Sequence, residues 1–444
     1  MRMARHVGKS IVALVLGLCV TACLSQAGEA RRAAFAYRAS APPLGGVNID
    51  GPGYNETPAE ADKTIALAHA LHAKLVRTGV SWASLEPQAP NQADPHAQAS
   101  LDRLMNDASA DGIRVIMTVD DTPCWASSAP AALLRKCTSG RESQANRWPP
   151  TDPADYAAFV SRLTQRFAGG SLAAIEVWNE PDQANEKYFA GPHKAARYAA
   201  ILRAAYPAVK QADPNVTVLA GSLVGYDGVF LRSLYAAGIK GYYDGIAVHF
   251  YSLTLASLRS FRAVELANGD RTPLWLDEFG WSSCYPRLRI QEEQACVTTE
   301  VQARNITDLY HELSGTSYVA AMTLYQLRDG GGESFGVLSA RGARKPSFAV
   351  LADVLAAPVG APSPVTLSLR REGRSVVASG SGPVGDYMQM EVSKGGVLRY
   401  RALFTLNRFD RYTIKLPAVL GTRGLRVSVY QEWVGRLKDA QKSI

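Results

Sequence analysis

The chain has 444 residues, of which 47% are hydrophobic and 20% are charged. This length exceeds what one small core can organise and favours one large domain with an accessory module. The composition excludes a largely disordered chain. The formal charge of +8 is typical of a solvated basic face, with an anionic polysaccharide or a membrane surface as alternative partners. No nucleic-acid partner is predicted.

Residues 1–22 have the pattern of a secretory signal peptide. Three basic residues precede an apolar run of ten residues, which is too short to span a bilayer. The motif at residues 20–23 resembles a bacterial lipobox, in which Cys23 would be acylated and become the mature N-terminus. Cleavage after Ala27 is the alternative. We therefore expect export to the periplasm with a lipid anchor in a bacterial membrane, and residues 23–43 as an N-terminal linker.

Four further cysteines form two pairs that are close in sequence. Cys124 and Cys137 lie in one predicted loop, and Cys284 and Cys296 lie in another. Four cysteines allow three pairings, and proximity favours the two local disulfides in an exported protein. The chain has no cysteine–histidine cluster with the spacing of a zinc site. No metal or cofactor is predicted.

Between residues 44 and 356, short apolar runs alternate with helical patterns, as in repeated βα units. Predicted strands span residues 46–50, 74–82, 113–119, 174–180, 216–220, 245–251, 273–278 and 319–325. Predicted helices span residues 57–73, 101–108, 152–167, 194–211, 230–237, 255–267, 291–313 and 346–355. Eight of each favour an α/β fold, a (β/α)8 TIM barrel. An open doubly wound sheet is the alternative, but no Gly-x-Gly-x-x-Gly turn follows an early strand.

The pattern changes after the barrel. Residues 357–364 are rich in proline and predict a linker, and residues 365–444 contain alternating runs that predict a small β-sandwich. Its aromatic residues are scattered along the sequence instead of lying together on one strand. This favours a structural brace over a carbohydrate-binding module, which remains the alternative.

Two apolar strands end in carboxylates. The stretch 174–182 ends in Trp178, Asn179 and Glu180 before a proline, and the predicted seventh strand ends at Glu278. Hydrolysis of a glycosidic bond needs one carboxylic acid at the leaving oxygen and a second carboxylate at the anomeric carbon. Two glutamates at strand ends of one barrel rim provide this pair.

Other strand-end side chains complete the predicted site. Asn179 can hold the sugar 2-hydroxyl group, and aromatic rings on rim segments can stack on sugar rings. The remaining predicted site residues are Arg77, His249, Tyr251, Tyr325, Trp82, Trp125, Trp178 and Trp281. Each has an ordinary alternative: the arginine could pair an acid on a neighbouring strand, the histidine could be a core residue, and each tryptophan could serve packing alone.

Two motifs resemble clan A glycoside hydrolases: Asn-Glu-Pro at 179–181 and the apolar-x-Glu-Phe-Gly pattern at 276–280. Three motifs most resemble family 39 of that clan: Trp-Asn-Glu-Pro at 178–181, Ile-Ala-Val-His-Phe-Tyr at 246–251 and Arg-Lys-Pro-Ser at 344–347. That family includes β-xylosidases, iduronidase and bacterial exopolysaccharide glycosidases. The resemblance implies that Glu180 is the acid/base and Glu278 the nucleophile, with retention of configuration.

By the same resemblance, Arg77 would orient the nucleophile, and His249 or Tyr251 would donate a hydrogen bond to it. We expect a monomeric retaining β-glycoside hydrolase that acts on a bacterial exopolysaccharide, with endo cleavage. An exo-β-xylosidase is one alternative. A lipoprotein that binds glycans without turnover in a polysaccharide secretion system is an alternative of another class.

Overall fold

A computed structural model describes residues 43–49, 58–137, 143–225, 227–251, 255–285, 296–313, 316, 318–356, 365–382, 388–404, 411–431 and 438–444. The predicted signal peptide, the acylation site at Cys23 and the linker at 357–364 lie outside these residues, as does the linker at 23–43 except for its last residue.

Eight parallel strands form a closed barrel in chain order, which confirms the predicted TIM barrel. The strands are β1 Leu44–Asn48, β2 Leu75–Ser81, β3 Arg114–Asp120, β4 Leu172–Val177, β5 Thr217–Leu223, β6 Gly245–Phe250, β7 Leu274–Phe279 and β8 Val319–Leu324. β8 pairs with β1 and closes the sheet on itself. The carboxyl ends of all eight strands therefore meet at one rim, where active sites of this fold lie.

Helices connect the strands. Those of eight or more residues in the described chain are α1 Pro58–Ala70, α2 Pro95–Ala110, α3 Pro153–Arg166, α4 Lys194–Ala212, α5 Val229–Ala236, α6 Leu255–Ala267, α7 Thr299–Leu313 and α8 Pro346–Ala356. All eight overlap predicted helices. α7 begins eight residues after its predicted start at residue 291, and α2 begins six residues before its prediction. The side chain of Asp94 accepts hydrogen bonds from two backbone amides there, and Pro95 takes the first helical position, a favoured N-terminal combination.

Both predicted disulfides are present. Cys124 bonds Cys137 across a Cα–Cα distance of 5.9 Å, and Cys284 bonds Cys296 across 4.9 Å. The first pair follows β3 and the second follows β7, so each closes a loop on the carboxyl-terminal rim of the barrel. None of the described helices combines the length and apolar composition needed to cross a membrane.

The chain beyond the barrel forms two antiparallel sheets around a separate core, which confirms the predicted sandwich. Its strands are β9 Ser368–Glu372, β10 Ser375–Ser381, β11 Met388–Lys394, β12 Val397–Phe404, β13 Arg411–Lys415, β14 Leu425–Gln431 and β15 Lys438–Ser443. The sheet orders are β13-β10-β9 and β12-β11-β14-β15. Sequence patterning missed β12, β13 and β15, where basic and polar residues interrupt the apolar alternation.

Charge is unevenly divided between the two parts. Residues 44–356 contain 28 Lys and Arg against 33 Asp and Glu, a formal charge of 28 − 33 = −5. Residues 365–444 contain 14 Lys and Arg against 6 Asp and Glu, a formal charge of 14 − 6 = +8. The sandwich is therefore basic and the barrel is acidic.

Candidate active site

The polar residues of the site form one layer inside the barrel. An apolar layer comes before it along the strands and includes Leu75, Ile116, Ala174, Leu219, Ala247, Trp275 and Ala321. Because side chains alternate between the two faces of a strand, the next inward position lies two residues further on. Those positions carry Arg77, Thr118, Glu176, Ser222, His249, Asp277 and Thr323. On β5 the step is three residues, where its register with β6 shifts.

Arg77 lies at the centre of this layer and contacts the strand ends around it. Its Nη1 donates to Oε1 of Glu278 at 2.6 Å and to Oδ1 of Asn48 at 3.0 Å. Its Nη2 donates to Oε1 of Glu176 at 2.7 Å and to Oδ1 of Asn179 at 2.9 Å. Arg77 therefore contacts Glu278, the predicted nucleophile. It also pairs with Glu176 on another strand, which was the alternative interpretation of this arginine.

The guanidinium group of Arg77 stays charged in this setting. Burial disfavours the charged form, but the carboxylates of Glu176, Glu278 and Asp277 outweigh burial and raise the pKa of Arg77 well above its ordinary value. A buried charge persists only when it is paired and hydrogen-bonded. The site thus contains a permanent positive charge beside Glu278.

Glu180 and Glu278 face each other across a short distance. Oxygen atoms of the two carboxyl groups lie within 4.8 Å of one another, and both residues are buried, with 8% of their surface exposed. Carboxyl groups about 5–5.5 Å apart are typical of retaining glycosidases, whereas inverting enzymes keep them about 6.5–9.5 Å apart to admit a water molecule. The geometry fits direct attack on the sugar by one of the two glutamates.

Each glutamate has its own hydrogen-bond partners. Glu278 accepts from Arg77 on Oε1 and from the hydroxyl of Tyr251 on Oε2, at 2.8 Å. Glu180 is bonded to Nδ1 of His249 through Oε1, at 2.7 Å, and to the side-chain amide of Gln183 through Oε2. Glu278 is thus fixed on both oxygens by Arg77 and Tyr251, as a nucleophile requires.

His249 is fully buried and bridges the acids. Nδ1 lies 2.7 Å from Glu180 and 3.3 Å from Oε2 of Glu278, and Nε2 lies 3.2 Å from Oδ2 of Asp277. Burial would lower the pKa of the imidazole, but Glu278 and Asp277 outweigh burial and raise it well above its usual value. We therefore assign hydrogens to both ring nitrogens, and the 3.3 Å contact of Nε2 with Arg77 joins two donors.

The backbone at the end of β4 is strained. Trp178 has a φ of +70° and Glu180 a φ of +43°, in the left-handed region that side chains other than glycine rarely adopt. Such residues cost about 1–3 kcal/mol each and collect at functional sites. Ser222, at the end of β5, has a φ of +60°. The strain places Trp178 in the core and Glu180 at the barrel axis.

Two predicted sugar platforms are wrong. Trp82 and Trp178 are fully buried, so neither presents a ring face to a ligand. Trp178 packs on Tyr156 and Phe189, and its Nε1 donates to the backbone oxygen of Tyr188 at 2.9 Å. Both rings pack between the barrel and its helices. A side chain on the outer face of a barrel strand points away from the barrel interior, so an indole there contacts the surrounding helices.

The other predicted aromatic residues keep some exposure. Trp125 is half-buried, and its Nε1 donates to the backbone oxygen of Glu86 at 2.9 Å. Trp281 is 7% exposed and packs edge-on against Phe279. Tyr325 is half-buried and donates to Glu333 at 2.9 Å. These three remain predicted contacts of the substrate.

A glycine, Gly280, follows Glu278 and Phe279 at the end of β7, and the structure shows why a larger residue does not fit there. A Cβ atom at this position would lie 2.3 Å from the backbone oxygen of Tyr325, which is closer than any side chain tolerates. The glycine therefore allows β7 and β8 to approach each other just beyond Glu278.

Sequence reasoning missed several members of the site: Asn48, Glu176, Gln183, Tyr188, Ser222 and Asp277. Glu176 and Asp277 carried a signal, because each is an acid inside an otherwise apolar strand. Tyr188 follows β4 in the chain. Burial, aided by the charges of Glu180 and Glu278 and opposed by Lys187, raises its pKa to about 12.

Three side chains of the site lie close enough to hold a cation. Among the described residues, Glu180, His249 and Glu278 bring their ligand atoms within 4.8 Å of one another. The same atoms already bond to one another and to Arg77, Tyr251 and Gln183. The positive guanidinium on Glu278 makes this donor set a poor fit for a metal ion.

Comparison with known proteins places this site in a family. Residues 40–317 match the family model described as cellulase (glycosyl hydrolase family 5), which is more than half of the chain. A search of curated proteins found no significant match.

Three solved structures share the fold. A family 39 glycoside hydrolase from the gut symbiont Bacteroides cellulosilyticus WH2 is 18% identical, with a TM-score of 0.55 over 84% of this chain and 81% of that chain. The family 39 enzyme from Xanthomonas axonopodis pv. citri is 17% identical, with a TM-score of 0.53 over 85% and 92%. A family 39 β-xylosidase from Caulobacter crescentus is 17% identical, with a TM-score of 0.52 over 80% and 84%.

These low identities establish the fold, whereas the family model establishes membership. The resemblance to family 39 therefore holds at the level of the fold, and the predicted assignment to clan A is confirmed. The chain belongs to the cellulase family of glycosyl hydrolases, family 5, and is a clan A glycoside hydrolase.

Proposed function

We propose that this glycosidase is a retaining β-glycoside hydrolase that cleaves a bacterial exopolysaccharide within the polymer chain. The observation that carries the retaining mechanism is the distance between Glu180 and Glu278, whose carboxyl oxygens lie within 4.8 Å. Inverting enzymes keep the two carboxyl groups about 6.5–9.5 Å apart, whereas retaining enzymes keep them about 5–5.5 Å apart, and the separation seen here fits the second class.

The first half of the reaction uses both glutamates. A carboxylate oxygen of Glu278 attacks the anomeric carbon while the bond from that carbon to the leaving oxygen breaks. Glu180 gives its proton to the leaving oxygen, so that a glycosyl ester and an alcohol form. Arg77 and Tyr251 hold the two oxygens of Glu278 and fix the direction of attack.

The second half reverses these roles. Glu180, now a carboxylate, removes a proton from water, whose oxygen attacks the anomeric carbon and displaces Glu278. Two inversions at one carbon give overall retention. His249 remains against Glu180 in both steps and stabilises its carboxylate after the first.

Asn179 is placed to bind the sugar 2-hydroxyl group. A guanidinium group only donates hydrogen bonds, so the contact with Arg77 assigns the amide oxygen of Asn179 to that side. Its Nδ2 group is then left to donate a hydrogen bond to the substrate. A hydrogen bond to the 2-hydroxyl strengthens as positive charge develops on the sugar.

Single substitutions test the two roles. Glu180→Gln and Glu278→Gln should each lower kcat by several orders of magnitude while the fold is kept. Azide should restore activity of Glu278→Gly on an activated aryl glycoside and give a glycosyl azide of inverted configuration. Glu265→Gln is the control, since Glu265 is also a buried glutamate and pairs with Arg262 on α6. Near-normal turnover in either catalytic variant would overturn the assignment.

The exopolysaccharide substrate rests on the predicted export signal, the two rim disulfides and the remaining aromatic residues near the site. Incubation with a panel of purified bacterial exopolysaccharides, followed by product sizing, tests it. Oligosaccharides of mixed length at early times would support endo cleavage. Release of single sugars from one end would refute it.

One observation favours a second candidate. Among the structures that share the fold, two are named as β-xylosidases from Caulobacter crescentus, so exo-xylosidase action is the alternative within the same chemistry. Turnover of an aryl β-xyloside with no cleavage of any polymer would favour it. A glycan-binding protein without turnover is the alternative of another class, and the intact glutamate pair weighs against it.

We also propose that the protein is a monomer anchored in a bacterial membrane through acylated Cys23 and facing the periplasm. The predicted signal segment and lipobox support this location. Cys23→Ser should move the protein from the membrane fraction to the soluble periplasmic fraction and abolish labelling by a radioactive fatty acid.

A further inference from the structure

Two buried acids lie beneath the catalytic pair and take no part in the chemistry described above. Glu176 on β4 and Asp277 on β7 are 0% and 1% exposed. One hydroxyl group, that of Ser222 at the end of β5, contacts both carboxyl groups.

The contacts of Ser222 show that the two acids hold a proton. Its Oγ lies 2.9 Å from Oδ2 of Asp277 and is also hydrogen-bonded to Oε1 of Glu176. A hydroxyl group carries one hydrogen and can donate it to one acceptor. The other carboxyl group must then donate to Ser222, which it can do only when protonated.

We propose that Glu176 and Asp277 hold one proton between them and that this acid–carboxylate pair positions Arg77 for its contact with Glu278. The shared proton is a property of the two buried acids and does not depend on the proposed function. The effect on catalysis rests on that function.

The pair reaches the nucleophile through Arg77. The guanidinium group bonds Glu176 through Nη2 at 2.7 Å and lies 3.3 Å from Asp277 through Nε. The same group bonds Glu278 through Nη1 at 2.6 Å. All three acids compete for one cation, so the total charge of the buried pair decides how strongly Arg77 is drawn away from Glu278.

A count of charges favours a single proton. The two cations are Arg77 and His249, which contacts Asp277 at 3.2 Å. With Glu180 neutral as the proposed catalytic acid, one proton leaves the buried pair a charge of −1, and the Glu278 carboxylate balances the second cation. This count rests on the proposed function, whereas the contacts of Ser222 do not. Without that proton the site holds an extra negative charge, which is costly when buried and uncompensated.

The other groups around Glu176 do not supply that compensation. Thr118 donates to its Oε1 at 2.9 Å. The phenols of Tyr156 and Tyr198 lie near enough for the charge of Glu176 to raise their pKa values further, after burial. These phenols are neutral, and each donates to a backbone oxygen of β3 or β4.

The environment places the proton on Glu176. Burial raises the pKa of Glu176 above its ordinary value, against the opposing charge of Arg77. Burial acts on Asp277 in the same sense, but His249 and Arg77 outweigh it and lower the pKa of Asp277. Asp277 is therefore the carboxylate of the pair, and Glu176 is its acid.

The test replaces the acid with an amide that keeps hydrogens at every pH. Infrared difference spectra are recorded for the full chain from pH 5 to 9 in a Glu180→Gln background, which removes the signal of the catalytic acid. We expect the carbonyl band of a buried protonated carboxyl group at low pH, its loss as the pH rises, and its absence in Glu176→Gln. Persistence of the whole band in Glu176→Gln, or its absence from the parent, would refute the shared proton.

Activity tests the positioning role. With Glu180 intact, Glu176→Gln should retain kcat at its optimum within about 10-fold and should shift the alkaline limb of the kcat profile at least one pH unit upward, with KM unchanged. Glu265→Gln should keep the wild-type profile. An alkaline limb that does not move in Glu176→Gln would refute the positioning role even if the infrared band is present.

Two further measurements keep the proposal falsifiable. If Glu176→Gln does not fold, Ser222→Ala removes the bridging hydroxyl without changing charge and should shift the frequency of the same band. An unshifted band would refute the bridge. If the wild-type protein cleaves no glycoside, the proposed function fails, while the infrared experiment still decides whether the proton is shared.

Discussion

Arg77 donates a 2.6 Å hydrogen bond to the oxygen Oε1 of Glu278. The same guanidinium group bonds an amide and two deeper acids, so it links the layer that performs the chemistry with the layer beneath it. The planar guanidinium group of Arg77 donates to these partners at the same time. A lysine has a single ammonium group and cannot replace Arg77 in this role.

We therefore expect Arg77→Lys to lower kcat/KM about 10- to 100-fold, since hydrogen bonds to charged groups contribute about 1.5–3 kcal/mol. Steady-state kinetics on an aryl glycoside measure this. Arg166→Lys is the control, because Arg166 pairs with Asp102 on the surface. Equal activity of the two variants would show that the arrangement of donors on the guanidinium group of Arg77 is unimportant.

Tyr251 holds the second oxygen of Glu278 at 2.8 Å. Tyr251→Phe removes that donor and should lower kcat about 10-fold or more, with a smaller change in KM, because the bond orients the nucleophile. Tyr310→Phe is a matched control, since its hydroxyl contacts a backbone oxygen of β8 at 3.3 Å. Burst kinetics would show whether formation of the glycosyl ester is the slowed step.

The buried acid makes folding stability depend on pH. The pKa of Glu176 rises from 4.5 to about 7 on folding, chiefly through burial. The native state therefore binds more protons than the unfolded state in that window, and stability falls as the pH increases. The pKa of His249 also rises on folding, so its contribution to stability is lost only above its unfolded pKa of 6.5. The pKa of Asp277 falls on folding, so its contribution to stability is lost only below its unfolded pKa of 3.8.

Between pH 4.5 and 6.5, the free energy of unfolding should fall more steeply for the wild type than for Glu176→Gln. Urea denaturation at several pH values measures the two slopes. Parallel curves would contradict the raised pKa.

The rim disulfides should stabilise the folded chain. A closed loop of about 15 residues contributes roughly 3 kcal/mol in the chain-entropy model. The double variant Cys124→Ser, Cys137→Ser should lose stability of this order, seen as a lower Tm in scanning calorimetry. Peptide mapping under non-reducing conditions should recover both local pairs from the wild type.

The sandwich is expected to brace the barrel. A truncation that ends near residue 357 should then be insoluble or should lose much of its thermal stability. A stable barrel with normal activity on short oligosaccharides and weak activity on polymer would instead identify the sandwich as a carbohydrate-binding module.

The sequence predicted the barrel and the meeting of Glu180 and Glu278 at its rim because both follow from chain-local patterns. Glu180 and Glu278 end apolar strands, and parallel strands of a barrel share one rim. Ser222 and Asn48 were missed because their roles arise from contacts between strands. No local pattern indicates which strand ends will face each other. Trp178 was misassigned because only the backbone conformation at the end of β4 decides to which side its indole turns.

The opposite charges of the two parts have an electrical consequence. With −5 on residues 44–356 and +8 on residues 365–444, the protein has a large dipole moment, and its measured isoelectric point is an average over two unlike surfaces. Residues 44–356 produced alone, and kept in urea so that they stay in solution, should bind an anion exchanger near neutral pH. The intact chain should bind a cation exchanger in the same buffer.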